Sequence, residues 1–267
     1  MEINFIDNET EDFFNSENYL NRIITLDRFI DFQDNKIVFI SPSKWSDPYE
    51  KAFLQAKYEF NGQSYFHPLR PIASEGHNLY AQCWTAGKQT EAMWKGFAPN
   101  EDGVMIQMST RNILIILNNI SHRGSYSFYI GKVNYQDTEH LYDMKAHHQT
   151  WDDIEKGRIN ERTIGLIFKK REAFEYEKEY RILAIKRTER NQRFYVQFNI
   201  EEILSYVNYL KFDPRMGEKL FTFTKRTIQK DYPELDIHKS RLYKNPIKRL
   251  IFGGIQPREF NDEIIFK

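Results

Sequence analysis

The chain has 267 residues, with 38 basic and 38 acidic side chains for a formal net charge of +0. That length suits one large domain or two small ones, and the balanced charge argues against a broad nucleic-acid coat. Charged residues make up 28% and aromatics 15%, no apolar run approaches the roughly 20 residues of a membrane span, and the N-terminus lacks a secretory h-region. The single cysteine, Cys83, excludes an internal disulfide framework and a cysteine-rich zinc site. The expectation is a soluble, cytoplasmic protein, folded as one domain over residues 1–267 because no linker, repeat or low-complexity stretch divides the chain.

Residues 9–34 read as helical from the recurrence of Phe13, Phe14, Tyr19, Leu20, Ile23, Ile24, Phe29 and Ile30, with Arg22-Ile23-Ile24-Thr25 open to a strand reading. Lys36-Ile37-Val38-Phe39-Ile40 is β-rich and stops at Ser41-Pro42-Ser43, and Trp45-Ser46-Asp47-Pro48 reads as a turn. Strands are expected over 79–84, 103–108 and 126–135, and helices over 90–97, 110–119 and 150–173. Residues 175–186 and 193–198 read as a hairpin, 200–210 and 216–231 as helices, and 248–252 as a closing strand before Gly253-Gly254. Irregularly alternating strands and helices favour an α+β class over a doubly wound sheet.

The common phosphate-loop, dinucleotide, serine-hydrolase and zinc-protease signatures are all missing. His140, His147 and His148 lack the spacing of a metal site, so no metal is expected. Cys83, in an apolar strand, reads as a small core residue, as do most of the tryptophans. Basic stretches at 186–193 and 239–249 read as solvated faces.

What stands out is Glu175-Tyr176-Glu177-Lys178-Glu179-Tyr180-Arg181. On a strand, Glu175, Glu177, Glu179 and Arg181 share one face, where like charges repel. Spacing alone leaves two readings, an exposed edge strand with gatekeeper charges or a site in which one carboxylate is driven up in pKa.

In order along the chain stand Ser41-Pro42-Ser43-Lys44-Trp45-Ser46-Asp47-Pro48, Met93-Trp94, Tyr176-Glu177-Lys178-Glu179-Tyr180-Arg181 and Leu250-Ile251-Phe252-Gly253-Gly254. The chain thereby resembles a bacterial family with a Ser-Pro-Ser-x-x-x-Asp-Pro element, a Met-Trp element and a Tyr-Glu-x-Glu-x-Arg element. It departs from that pattern at Ser46, where the family has Asn, and at Phe174, where it has Trp. Part of the family resembles CmdT-type ADP-ribosyltransferase toxins of toxin–antitoxin–chaperone anti-phage systems, which transfer ADP-ribose to messenger RNA. The resemblance implies mixed, mostly antiparallel ADP-ribosyltransferase-like sheets with flanking helices, NAD as co-substrate, RNA as substrate, a protein antitoxin and a SecB-like chaperone as partners.

It also implies roles for residues. Arg22 would hold the pyrophosphate through its planar fork. Ser41 and Ser43 would bond the nicotinamide ribose or brace Glu179, and Trp94 would stack on nicotinamide or a target base. Glu179 would be the carboxylate that stabilises an oxocarbenium-like ribose, and Glu177 would position or deprotonate the nucleophile. The alternatives from other classes are a non-catalytic binding module and a metal-dependent nuclease.

Overall fold

A computed structural model of the chain describes residues 3–50, 52, 57–60, 62–66, 79–123, 126–138, 152, 153, 156, 158, 160–186 and 194–244. The expected strand over 248–252, the histidines at 140, 147 and 148, Trp151 and the basic stretches 187–193 and 245–249 lie outside the described residues.

In chain order the strands are β1 (Ile3–Phe5), β2 (Tyr19–Thr25), β3 (Lys36–Ile40), β4 (Lys57–Phe60), β5 (Gln63–Phe66), β6 (Leu79–Thr85), β7 (Gly103–Ser109), β8 (Tyr126–Lys132), β9 (Asn134–Gln136), β10 (Lys169–Arg171), β11 (Glu179–Lys186), β12 (Tyr195–Asn199), β13 (Val207–Phe212) and β14 (Asp236–Lys239). The helices are α1 (Asn8–Asn15), α2 (Leu26–Gln33), α3 (Glu91–Phe97), α4 (Thr110–Arg123), α5 (Glu161–Gly165) and α6 (Glu218–Asp231). Among the described residues the main sheet runs β1-β8-β11-β6-β2-β7-β13-β14, with β3 joined to β6 and β12 joined to β3. The pairs β1–β8 and β13–β14 are parallel and the remaining pairs of that sheet antiparallel, giving the mixed, mostly antiparallel α+β architecture.

The apolar pattern of 9–34 belongs to two helices and a strand, not one helix. Asp7 caps α1 by accepting from the Thr10 amide at 2.7 Å, and Glu17, at φ 52°, takes the left-handed conformation that ends a helix. The β-branched Ile23-Ile24-Thr25 then extends, so Arg22 lies on β2. Residues 200–210 likewise break at Glu202, φ 51°, and give a short 3₁₀ turn (Ile203–Tyr206) followed by β13. The expected hairpin of 175–186 with 193–198 does not form. Both edges of β11 are taken by β6 and β8, so β12 pairs with β3 instead.

Two further corrections place charged residues. The helical reading of 150–173 gives way, in the described part, to α5, a 3₁₀ turn and β10, which pairs in parallel with β9. The expected strand over 126–135 breaks at Val133, whose amide donates to the Glu179 carbonyl at 2.9 Å.

The main sheet forks at β6. β2 meets it at one register pair, Asn21 with Thr85, and β3 at another, Ile40 with Ala81. Between those contacts residues 82–84 of β6 have no strand partner on that side among the described residues. On β11, Tyr180, Ile182 and Ala184 enter the large core with Phe14, Leu20 and Trp84. Leu183 and Ile185 enter a second core with Ile167 and Phe168, so strand alternation puts Glu179 and Arg181 on that second face. Among the described residues no helix is long and apolar enough to cross a membrane.

Candidate active site

A cleft of about 280 Å³ opens at the fork. Arg22 of β2, Cys83 and Trp84 of β6, Lys170 of β10, Glu177 and Glu179 line it.

Glu177 and Glu179 do not share a strand face, as the sequence pattern suggested. Residues 172–177 form a 3₁₀ helix, with Glu175 exposed on it, and Lys178 at φ 44° turns the chain before β11 begins at Glu179. The tertiary fold brings the two carboxylates together through Lys170. Its Nζ donates to Glu177 Oε2 at 2.6 Å and to Glu179 Oε2 at 3.1 Å, and lies 3.4 Å from Glu50 Oε1. Arg181, fully buried two residues along β11, donates from Nε to Glu179 Oε1 at 2.9 Å and from Nη2 to Glu179 Oε2 at 3.2 Å. The same guanidinium donates to Glu50 and to the Ile167 carbonyl and lies 4.3 Å from the centre of the Trp45 ring. The Glu179 amide donates to the Tyr135 hydroxyl at 2.9 Å, which fixes the start of β11.

Three buried carboxylates and two buried cations therefore form one network, the arrangement that lets charges persist away from water. Burial by itself raises the Glu179 pKa, but the Arg181 and Lys170 charges outweigh it and hold that carboxyl down at about 2. Glu177 goes the other way. Burial, reinforced by Glu179 and Glu50 and opposed by Lys170, pushes it up to about 7. Burial and the Glu179 charge push the Cys83 thiol well up, so it has no nucleophile's character. With Lys170 and Arg181 seated among the carboxylates, the positions a divalent cation would take are filled by nitrogen.

Arg22 is half-buried and lines the cleft, and no carboxylate lies within ion-pairing distance of it among the described residues. Burial pulls its guanidinium down to about 10, with Arg28 adding to the effect and Cys83 opposing it, so it remains a cation at neutral pH. Beside it, Asn21 accepts at Oδ1 from Gln107 Nε2 at 3.2 Å and from the Tyr209 hydroxyl at 3.1 Å.

Of the residues singled out from sequence, the fold thus brings Arg22, Glu177 and Glu179 to one cleft. Ser41, Ser43 and Trp94 do not line it. Ser41 is fully buried with its hydroxyl 2.9 Å from that of Ser43, and the pair closes the 3₁₀ turn Pro42–Lys44. Trp94 is fully buried against Ile23, Met93, Ala98 and Met105, and its indole donates to Gln89 at 3.1 Å, so its ring faces are covered by core. Lys170 and Glu50 escaped sequence reasoning. Glu50 stands just after the Asp47-Pro48 turn, and Asp47 itself pairs with Arg171 at 2.9 Å, so the turn element carries charge partners for β10 and β11. The spacing of Glu179 and Arg181 on one strand face was the sequence signal for their pairing.

A protein-family profile described as "Protein of unknown function (DUF2971)" matches residues 93–182, about one third of the chain, including Lys170, Glu177, Glu179 and Arg181. No curated protein matches the sequence. Among solved structures, the chain is similar to DarT of Thermus sp. 2.9 in complex with ADP-ribosylated ssDNA, at 9% identity and a TM-score of 0.36, over 85% of this chain and 95% of that one. DarT of the same source in complex with NAD+ matches at 10% identity and a TM-score of 0.33, over 84% and 96% of the two chains. The complex with carba-NAD+ gives 10% and 0.32, over 85% and 96%. Likeness at that level fixes neither residue equivalence nor activity.

Proposed function

We propose that this chain is an NAD-dependent ADP-ribosyltransferase that modifies RNA, with messenger RNA as its target, and acts in the cytoplasm as an anti-phage toxin held in check by a protein antitoxin and a SecB-like chaperone. The enzyme class rests on one observation above all: a cation without a carboxylate partner, Arg22, and a pair of buried carboxylates, Glu177 and Glu179, line the same cleft at the fork of the sheet. The target and the partners rest on the family resemblance of the ordered sequence elements.

The residues present fit the co-substrate. Small-molecule sites span roughly 300–1,000 Å³, so this cleft takes one end of a dinucleotide and leaves the rest outside. Arg22 supplies two parallel N–H donors for a diphosphate. The carboxylates supply negative charge where positive charge develops on the ribose as the nicotinamide bond breaks, the preorganised electrostatics that accelerate such a step. Phe97 and Tyr176 are exposed at 42% and 39% and line the cleft, offering ring faces to a base.

The test is transfer of label from NAD carrying a radiolabelled adenylate. The expected result is label on RNA with the wild type and none with a Glu177→Gln/Glu179→Gln double variant. Single-stranded DNA, part of the ligand named for one of the similar structures, is the second acceptor in the assay. No label on either acceptor with the wild type overturns the enzyme class, and label on DNA alone overturns the RNA target. Expression without a partner is expected to arrest growth, and the double variant to relieve it.

A further inference from the structure

The oxygens of the two cleft glutamates differ in what they already hold. Glu179 Oε1 accepts from Arg181 Nε, and Oε2 accepts from both Arg181 Nη2 and Lys170 Nζ. The Cys83 thiol adds a further bond to the same carboxylate, whose side chain is only 4% exposed. To reach a substrate hydroxyl, Glu179 would have to leave a bidentate pair with a fully buried arginine. Glu177 is held at one oxygen only. Oε2 accepts from Lys170 at 2.6 Å, and Oε1 has no hydrogen-bond partner among the described residues while the residue lines the cleft.

We infer that Glu177 is the catalytic carboxylate of this cleft, presenting Oε1 to the acceptor, and that Glu179, Lys170 and Arg181 are positioning residues that hold it. This reverses the roles that the sequence elements imply, and it rests on the transferase reading above. In the transfer, the bond between the ribose C1′ and the nicotinamide nitrogen breaks, and its electron pair leaves with nicotinamide as a neutral molecule. A lone pair on the acceptor forms the new bond to C1′. The acceptor's proton passes to Glu177 Oε1 and then to solvent.

The surroundings suit a proton acceptor. Glu177 is faced by Lys170 from β10, Glu179 from β11, Glu50 from the segment after Pro48 and the Tyr135 hydroxyl from β9. Burial and the two neighbouring carboxylates raise its pKa to about 7 against the pull of Lys170, close to the value at which a general base works best near neutrality. Lys170 contacts both glutamates, so it sets the distance between them and the proton affinity of each.

Kinetics of the full chain with NAD and RNA test the assignment. Glu177→Gln is expected to lower kcat by about 10²- to 10⁴-fold, the range for loss of a general base, with the Kd for NAD unchanged. Glu179→Gln costs less and moves the acidic limb of the kcat/KM profile to lower pH, because one negative neighbour is gone. Lys170→Met moves that limb to higher pH, and Lys170→Arg returns it towards wild type. Retention of more than a tenth of turnover by Glu177→Gln while Glu179→Gln is inactive overturns the inference. If the wild type transfers nothing from NAD, the transferase reading falls, and a ¹³C carboxyl titration followed by NMR decides the assignment separately. Glu177 titrating near neutral pH, and lower in Glu179→Gln, supports it. Glu179 titrating there while Glu177 stays ionised overturns it.

Discussion

Arg181 holds Glu179 by both ends of its fork, Nε 2.9 Å from Oε1 and Nη2 3.2 Å from Oε2, and neither side chain is exposed by more than 4%. The geometry follows from β11 itself, since residues two apart on a strand share a face. The guanidinium also serves Glu50 and the Ile167 carbonyl, so one side chain ties β11 to the segment after Pro48 and to the turn before β10. Arg181→Ala would leave two buried carboxylates short of their cation, a change that costs about 3–5 kcal/mol. Urea unfolding at pH 7 is expected to show a loss of that size, and Arg181→Lys to recover only part of it, because an ammonium cannot bond both carboxylates and the carbonyl in one plane.

The two glutamates give the stability opposite dependences on pH. Glu179 is depressed from an ordinary 4.5 to about 2, so its contribution is present above 4.5 and is lost as the pH falls towards 2. Glu177 is raised from 4.5 to about 7, so its contribution is fully present below 4.5 and is lost as the pH rises through 7. Between pH 5 and 8 only Glu177 changes state. Unfolding free energy is expected to fall across that interval by on the order of 2 kcal/mol, and Glu177→Gln to flatten the slope.

Arg22 presents a different balance. No buried carboxylate among the described residues depends on it, so Arg22→Ala is expected to change unfolding free energy by no more than about 1 kcal/mol. A diphosphate would lose charge-assisted hydrogen bonds worth about 1.5–3 kcal/mol, which raises the Kd for NAD by about 10- to 100-fold. Titration calorimetry of wild type and variant with NAD measures this, and an unchanged Kd would remove Arg22 from the site.

Gly103 lies where β7 begins beneath α3. A Cβ there would stand 2.8 Å from Trp94 Cζ3 and 2.9 Å from the Ala98 Cβ. Gly103→Ala is therefore expected to cost about 1–3 kcal/mol by overpacking. It would also push on α3, which lines the cleft through Met93 and Phe97, so nucleotide binding should weaken along with stability. Thermal unfolding with and without NAD reads both effects.

Much of the fold was legible locally. The β-branched and aromatic runs at 36–40, 79–85 and 103–109 form strands, and Thr90, whose hydroxyl accepts from the Met93 amide at 3.2 Å, starts α3 where the sequence placed a helix. The failures came where a backbone conformation, not an apolar period, decides the element. Glu17, Lys178 and Glu202 all take positive φ, a choice that side-chain periodicity does not encode. Trp94 was misleading for a related reason: a Trp after Met on a short helix has the same local pattern whether its face meets a ligand or the core.

The sequence by itself determined the class of the fold, the charge-rich segment Tyr176–Arg181, and the partnership of Glu179 with Arg181, because each follows from near-neighbour spacing along the chain. Only the tertiary structure decided that Lys170 stands between the glutamates, that Glu50 completes the network, that Arg22 shares their cleft, and which carboxylate keeps an oxygen free. Those relations join residues from separate strands and turns, and they exist because β6 is paired at its two ends by different strands, which opens the sheet between them.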